Sequence, residues 1–184
     1  MNDGATQSTL SPFEALVDYE RRSLTHIPGM PEELESAGLW RGIAFRLGEA
    51  MLLSGLDDVN EILRFPPLTP VPGVKAWMLG IANVRGNLIP IVDLRALLEG
   101  EAERMTDKTR VLTTRVQGSL VGLLVSEVLG QRSFQEESLQ GVIAHADSPI
   151  SRFLSGEVEI DIRRWGVFSM DELCQSAEFM QAAA

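Results

Sequence analysis

Three aspartates have the side-chain type and spacing for metal-assisted phosphoryl transfer. Asp57 and Asp58 follow one apolar run, and Asp93 ends another. An acidic pair near a strand-end aspartate can hold Mg²⁺, as in a receiver-type phosphoacceptor. That site also needs a lysine near the end of the domain, and no lysine follows Lys108. We therefore interpret Asp57-Asp58 as a polar turn and Asp93 as the N-cap of a helix that begins at Leu94.

Nucleophilic and zinc-dependent chemistry have few side chains available. The chain contains one cysteine, Cys174, and two histidines, His26 and His145. A serine or cysteine nucleophile needs a base, and zinc needs closely spaced cysteine and histidine ligands. The G-x-S-x-G elbow and the glycine patterns of nucleotide-binding loops are absent. We predict no catalytic residue, no metal and no cofactor, and interpret Cys174 as a small buried apolar residue. A small hydrolase or the phosphoacceptor stays as the alternative of a different class.

The charge balance disfavours nucleic acid as a partner. With 26 acidic and 16 basic residues, the formal net charge is −10. Nucleic-acid binding draws much of its free energy from clustered positive charge, and here the nearest feature is the pair Arg163-Arg164. No signal-peptide pattern and no apolar run long enough to span a bilayer occur, so we expect a cytoplasmic protein without membrane insertion.

Residues 1–38 are predicted to form an extension in front of the main domain, which spans 39–184. The first ten residues are small and polar, and we expect them to be disordered. An amphipathic helix is predicted over 11–24, because a capping box precedes apolar residues at helical spacing. The acidic, Pro/Gly-containing stretch 26–38 indicates a linker. The apolar stripe of the helix needs cover, either from its own domain or from a partner.

The sequence pattern changes from Trp40 onward and predicts a mainly β domain. Ten apolar runs have strand length and β-branched content: 42–48, 51–56, 59–65, 79–84, 88–93, 109–116, 119–125, 128–134, 157–162 and 165–169. So many short strands imply barrels or a sandwich. Helical structure is expected at 93–99 and from Met170 to about Met180, besides one turn near 75–77.

The run 79–93 is predicted to form a hairpin with an accessible tip. Gly86-Asn87 suits a two-residue type II′ turn, which places Arg85 opposite Leu88. Period-two alternation then gives one wholly apolar face, and its opposite face carries Asn83 and Arg85 near the tip. Arg85 is therefore predicted to lie at an exposed end of the sheet.

The stretch "GIANVRGNLIPIVDL" resembles the signature of the CheW-like family of chemotaxis coupling proteins. "DDVNEILRFPPLTPVPGVKAWMLG" and "GSLVGLLVSEVLG" resemble neighbouring segments of that family, in the same order, between Trp40 and Leu173. The helix and linker in front of the domain, together with "GVKAWMLGIANVRG", are most similar to its PilI branch, which serves type IV pili and twitching motility. The resemblance implies two five-stranded, SH3-like barrels.

The resemblance implies an adaptor and no enzyme. Its implied partners are a methyl-accepting, PilJ-like chemoreceptor and a ChpA-like histidine kinase of the CheA type with its own CheW-like domain. It further implies a location at the inner face of the membrane through receptor arrays. A coupling protein of a flagellar or other chemosensory array is the alternative within the same fold.

Carried over residue by residue, the receptor- and kinase-sensitive positions of the family fall on Val59, Glu61, Gly80 and Arg85, with Ile62 as a further kinase-facing or core position. An arginine at an exposed tip can offer bidentate hydrogen bonds that lysine cannot copy. Where the family usually has an aspartate, this chain has Ser126 followed by Glu127. The second-lobe kinase surface around 135–150 is left unassigned.

Overall fold

The computed structural model describes Phe13, Leu16–Asp18, Glu20–Arg21, 38–142 and 147–182. The predicted mainly β fold is confirmed, and the described residues form ten strands: β1 Leu39–Leu47, β2 Ala50–Gly55, β3 Glu61–Arg64, β4 Met78–Val84, β5 Asn87–Asp93, β6 Arg110–Val116, β7 Ser119–Val125, β8 Glu127–Gln135, β9 Leu154–Ile160 and β10 Arg163–Phe168. In the domain, α1 Leu94–Glu99 follows β5, and α2 Met170–Gln175 and α3 Ala177–Met180 follow β10 one after the other. Single 3₁₀ turns lie at Leu56–Asp58, Glu136–Ser138 and Pro149–Phe153.

The strands described form two five-stranded sheets, which are the two lobes of the domain. The lobe 1 sheet has the order β8-β1-β2-β10-β9, and the lobe 2 sheet has the order β3-β6-β7-β5-β4. Lobe 1 therefore combines strands from both ends of the domain, whereas lobe 2 uses the middle of the chain. Each sheet contains one parallel pair, β2 with β10 and β5 with β7.

Both sheets bury side chains on both of their faces. Odd- and even-numbered residues of one strand are therefore both apolar, which explains why the apolar runs are nearly continuous. In β1, Phe45 and Leu47 pack into a central cluster while Ala44 packs into a separate cluster within lobe 1. In β7, Leu123 packs into the central cluster and Leu124 into a cluster within lobe 2. The central cluster thus contains side chains from both sheets and binds the two lobes together.

The short helices complete the central cluster. Leu94 and Leu98 of α1, Leu173 of α2 and Phe179 of α3 are all buried there. Trp77, in the turn before β4, stacks on Phe179 with ring centroids 6.5 Å apart. The helices therefore stabilise the junction of the lobes by apolar burial.

The predicted turn of the β4–β5 hairpin is wrong by one residue. Val84 pairs with Asn87 and Asn83 with Leu88, so the two turn residues are Arg85 and Gly86. Both have positive φ, 51° and 86°, as a type I′ turn requires. The side chain of Asn83 accepts a hydrogen bond from the backbone N–H of Gly86 at 2.9 Å and favours this turn. The predicted division of faces is kept, because the pairing moved by two residues.

Two further boundaries differ from the sequence prediction. The helix expected over 170–180 is divided at Ser176, whose backbone is extended and whose hydroxyl caps α3 by accepting from the N–H of Phe179. The strand expected over 157–162 ends at Ile160, because Asp161 and Ile162 form a turn with positive φ. The β-branched Ile162 suggested that the strand continues, but in the register of β9 with β10 the last pair is Ile160 opposite Arg163.

The predicted N-terminal helix and linker lie mostly outside the described residues. Phe13, Leu16–Asp18, Glu20 and Arg21 are helical, and Gly38 is the described end of the linker. The side chains of Phe13, Leu16 and Val17 are exposed. Residues Met1–Ser36 and Ala37–Ala184 form two separate compact units. Among the described residues, no helix is long and apolar enough to cross a membrane.

Candidate functional site

Two of the predicted partner-sensitive residues form an ion pair at one end of lobe 2. Nη2 of Arg85 lies 2.5 Å from Oε1 of Glu61. Arg85 belongs to the β4–β5 turn and Glu61 begins β3, so the pair joins two elements that are not neighbours in the sheet order. The side chain of Arg85 is 78% exposed and that of Glu61 is 30% exposed.

The geometry leaves Arg85 available to a further partner. Of its guanidinium N–H groups, only those on Nη2 contact Glu61. The remaining donors form no hydrogen bond with the part of the chain that the structure describes. A carboxylate or a pair of carbonyl oxygens from another protein can therefore accept hydrogen bonds from the same side chain.

Exposed apolar side chains occur in the same chain segments as the two residues of the ion pair. Ile62 and Phe65 follow Glu61 along the chain, and Leu88 lies across the β4–β5 ladder from Asn83. All three are exposed, Leu88 to 74%. Exposed arginine and large apolar side chains supply much of the binding free energy of protein–protein contacts. We call Glu61, Arg85 and Leu88 the hairpin-tip surface; Ile62 lies on the face of β3 opposite to Glu61.

Val59 and Gly80 support this surface from within the domain. Val59 precedes β3 and is half-buried against the central cluster. Gly80 is buried with φ of 144°, and a Cβ at this position would lie 2.6 Å from the carbonyl oxygen of Thr69. Thr69 and Ile81 exchange two backbone hydrogen bonds of 2.8 and 2.9 Å. The absence of a side chain at Gly80 therefore admits this chain's own backbone and fixes the connection between β3 and β4.

Asp93 holds backbone structure, as predicted. Its Oδ1 accepts a hydrogen bond from the N–H of Ala96 at 3.0 Å, so it is the N-cap of α1. Its Oδ2 accepts from the N–H of Glu103 at 2.8 Å. With both carboxylate oxygens engaged and the residue 2% exposed, Asp93 fixes the loop that follows α1.

A partly buried polar link that the sequence did not suggest connects this loop to lobe 1. The hydroxyl of Ser126 donates to the carboxylate of Glu103 at 2.5 Å and accepts from the N–H of Gly48 at 2.9 Å. Gly48 lies in the β1–β2 turn of lobe 1. No sequence pattern predicts this link, because its members are separated by 23 and 78 positions.

Glu127, the acid next to Ser126, forms ion pairs with two basic side chains of the same chain. It lies 3.1 Å from Nζ of Lys108 and 3.5 Å from Nη2 of Arg46. The hydrogen bond from Lys108 holds the pKa of this carboxyl below its usual value. Glu127 therefore contributes to the β7–β8 corner.

The groups that could serve catalysis are dispersed or buried. Burial raises the pKa of the Cys174 thiol to about 11, which disfavours the reactive thiolate. His26 and His145 lie outside the described residues. Within the described ranges, no three His, Cys, Asp or Glu side chains are grouped as a metal site would need.

The fold is that of a module made of two small, five-stranded β lobes. The family model "CheW-like domain" matches residues 41–178. The chain belongs to the CheW-like family.

Two relatives and one solved structure are similar to this chain. Protein PilI of Pseudomonas aeruginosa is 34% identical over 173 residues, which are 94% of this chain and 97% of PilI. The chemotaxis protein CheW of Rhizobium meliloti is 31% identical over 136 residues, which are 74% of this chain and 88% of that protein. The crystal structure of the scaffolding protein TtCheW from Thermoanaerobacter tengcongensis superposes with a TM-score of 0.67 at 21% identity, covering 76% of this chain and 94% of TtCheW. That likeness supports the fold.

Proposed function

We propose that this chain is a non-enzymatic coupling protein that joins a methyl-accepting chemoreceptor to a CheA-like histidine kinase in a system controlling type IV pili and twitching motility. The observation that carries the proposal is the similarity to PilI over 94% of the chain. The CheW-like model covers only residues 41–178, so the similarity to PilI reaches into the N-terminal extension as well.

The hairpin-tip surface is the proposed contact with one of these partners. Arg85 supplies a charged fork, Leu88 supplies apolar area, and Glu61 orients the arginine. Gly80 and Val59 act indirectly, because both pack within the domain. The proposed location is the cytoplasm, at the inner face of the membrane, reached through a PilJ-like receptor.

A coupling role in a flagellar or other chemosensory array is the second candidate. The 31% identity to the Rhizobium meliloti chemotaxis protein over 74% of this chain favours it. The N-terminal extension distinguishes the two candidates. The similarity to PilI reaches into it, whereas the CheW-like match lies outside it. They differ experimentally in which receptor and kinase bind.

The test is direct binding between purified components of the same organism. The full chain is mixed with the cytoplasmic region of the PilJ-like receptor, with the ChpA-like kinase, and with the corresponding flagellar proteins, and each Kd is measured by calorimetry. The proposal expects binding to the pilus-type receptor and kinase. Arg85→Glu should weaken binding at least about tenfold, since hot-spot arginines contribute about 1.4 kcal/mol or more. Arg41→Glu, an exposed arginine of lobe 1, is the matched control. Binding only to the flagellar proteins would establish the second candidate.

A further inference from the structure

The last described helix, α3, is attached to the domain differently from the helix before it. In α2, Met170, Leu173 and Cys174 are all buried. In α3, Phe179 is the one buried residue of the four. A single aromatic side chain therefore supplies most of the apolar contact that holds α3, whereas α2 has a continuous buried stripe.

Ser176 divides the two helices and has the features of a hinge. Its backbone is extended, with φ of −66° and ψ of 144°. Its hydroxyl donates to the carbonyl of Leu173 at 2.7 Å and accepts from the N–H of Phe179 at 3.3 Å. The end of α2 and the start of α3 are thus both capped by Ser176. A rotation of α3 at this residue leaves the hydrogen bonds of α2 intact.

The segment from α3 onward contacts the part of lobe 2 that enters β4. The ring of Phe179 stacks on the buried Trp77, with centroids 6.5 Å apart and planes inclined by 13°. The carbonyl of Ala182 accepts a hydrogen bond from the backbone N–H of Lys75 at 3.0 Å. We call residues 177–182 the strap.

The strap also contacts lobe 1. The carboxylate of Glu178 accepts hydrogen bonds from both terminal nitrogens of Arg152, which lies in the 3₁₀ turn before β9. The guanidinium of Arg152 lies over the ring of Phe153, 4.8 Å from its centroid, and this contact orients it. Both side chains of the ion pair are about half exposed, so the pair adds little to stability.

We propose that the strap opens as one unit about Ser176 while α2 and both sheets stay folded. The burial of Phe179 on Trp77 mainly keeps it closed, because the hydrogen bond to Lys75 and the exposed ion pair are both exchanged for contacts with water on opening. The open strap uncovers the indole of Trp77 and releases one connection between the lobes. This device is separate from the proposed function, since the strap contains no residue of the hairpin-tip surface.

Native-state hydrogen exchange of the full chain, with single amides resolved by NMR, tests the strap. In a concerted opening, the N–H groups of Lys75, Phe179 and Gln181 exchange through the same event, so their protection factors should agree within about threefold. The N–H of Leu173 in α2 should be protected at least about tenfold more. Lys75 is decisive because it lies in a distant part of the chain, beyond the reach of fraying in the strap.

Three variants test what keeps the strap closed. Phe179→Ala should accelerate exchange at Lys75 about 10- to 100-fold, as expected for losing one buried aromatic side chain, and should leave Leu173 unchanged. Arg152→Gln removes the exposed ion pair and should accelerate exchange at Lys75 about fivefold or less. Arg41→Gln, at an exposed position of β1, is the matched control and should change neither rate.

Equal protection of Lys75, Phe179 and Gln181, lowered together by Phe179→Ala with Leu173 unchanged, supports the strap. Protection that falls steadily along α3, with Lys75 as protected as Leu173, indicates fraying of a helix end and overturns the proposal. Equal protection of α3 and α2, or its loss in both helices with Phe179→Ala, shows that α3 belongs to the cooperative core and overturns it as well.

Discussion

Nη2 of Arg85 lies 2.5 Å from Oε1 of Glu61, and this ion pair ties the β4–β5 turn to the start of β3. The two residues are 24 positions apart, and neither is buried. The pair therefore orders an exposed arginine at the end of lobe 2 without removing it from solvent.

Reversing the charge of Arg85 should affect binding far more than folding. Exposed ion pairs contribute about 1 kcal/mol or less to stability, so Arg85→His and Arg85→Glu should leave the melting temperature nearly unchanged. The double variant Glu61→Arg/Arg85→Glu restores the pair with reversed polarity and should still bind partners poorly. Melting curves and titration calorimetry check both statements. A large drop in melting temperature with intact binding would contradict the proposed role.

Gly80→Ala should destabilise the domain, because the added Cβ would meet the carbonyl oxygen of Thr69 at 2.6 Å. We expect a loss of about 2–4 kcal/mol in the free energy of unfolding, measured by urea titration. Gly73→Ala is the matched control: its φ is also positive, at 71°, but no atom lies within 4 Å of the added Cβ. That variant should lose only about 1–2 kcal/mol. Equal losses of unfolding free energy in the two variants would show that the positive φ alone, without the contact to Thr69, explains the need for glycine at position 80.

Asp93→Ala should cost about 2–3 kcal/mol, since it removes a helix cap and leaves the N–H of Glu103 without its acceptor. Ser169→Ala removes only the cap of α2, where the hydroxyl accepts from the N–H of Glu172 at 3.1 Å. The expected loss there is about 1 kcal/mol. Chemical denaturation measures both, and a smaller effect at Asp93 than at Ser169 would refute its double role.

Cys174 should make unfolding sensitive to alkaline pH. Burial raises its pKa from 9.0 to about 11, so the native thiol stays protonated where an unfolded thiol ionises. Its contribution to stability is complete below pH 9 and is lost between pH 9 and about 11. The difference in unfolding free energy between the unmodified chain and Cys174→Ala should shrink over this range. In the native state the thiol should also react slowly with iodoacetamide at pH 8, and fast labelling would contradict its burial.

A chain beginning at Ala37 should fold by itself, because Ala37–Ala184 forms its own compact unit and contains the whole CheW-like match. We expect its melting temperature to lie within about 3 °C of that of the full chain. Near-ultraviolet circular dichroism reports whether side-chain packing is kept. An insoluble or molten product would mean that the helix predicted over 11–24 is part of the core.

The sequence determined the elements of this protein. Short apolar runs with β-branched residues, separated by turn residues, located all ten described strands, and the residue before a helical run identified Asp93 as a cap. These are local properties, set by backbone conformation and by side chains a few residues apart. The exposure of Arg85 followed in the same way, because a hairpin tip is accessible in whichever turn type forms.

Only the tertiary structure decided which distant groups meet. The turn at Arg85-Gly86, the end of β9 before Ile162 and the role of Gly80 depend on cross-strand register and on the approach of Thr69. The link from Gly48 through Ser126 to Glu103 and the ion pair of Glu61 with Arg85 depend on how lobes and strands pack. Such contacts arise from burial of the three apolar clusters, which is a property of the whole domain and leaves no periodic mark on the chain.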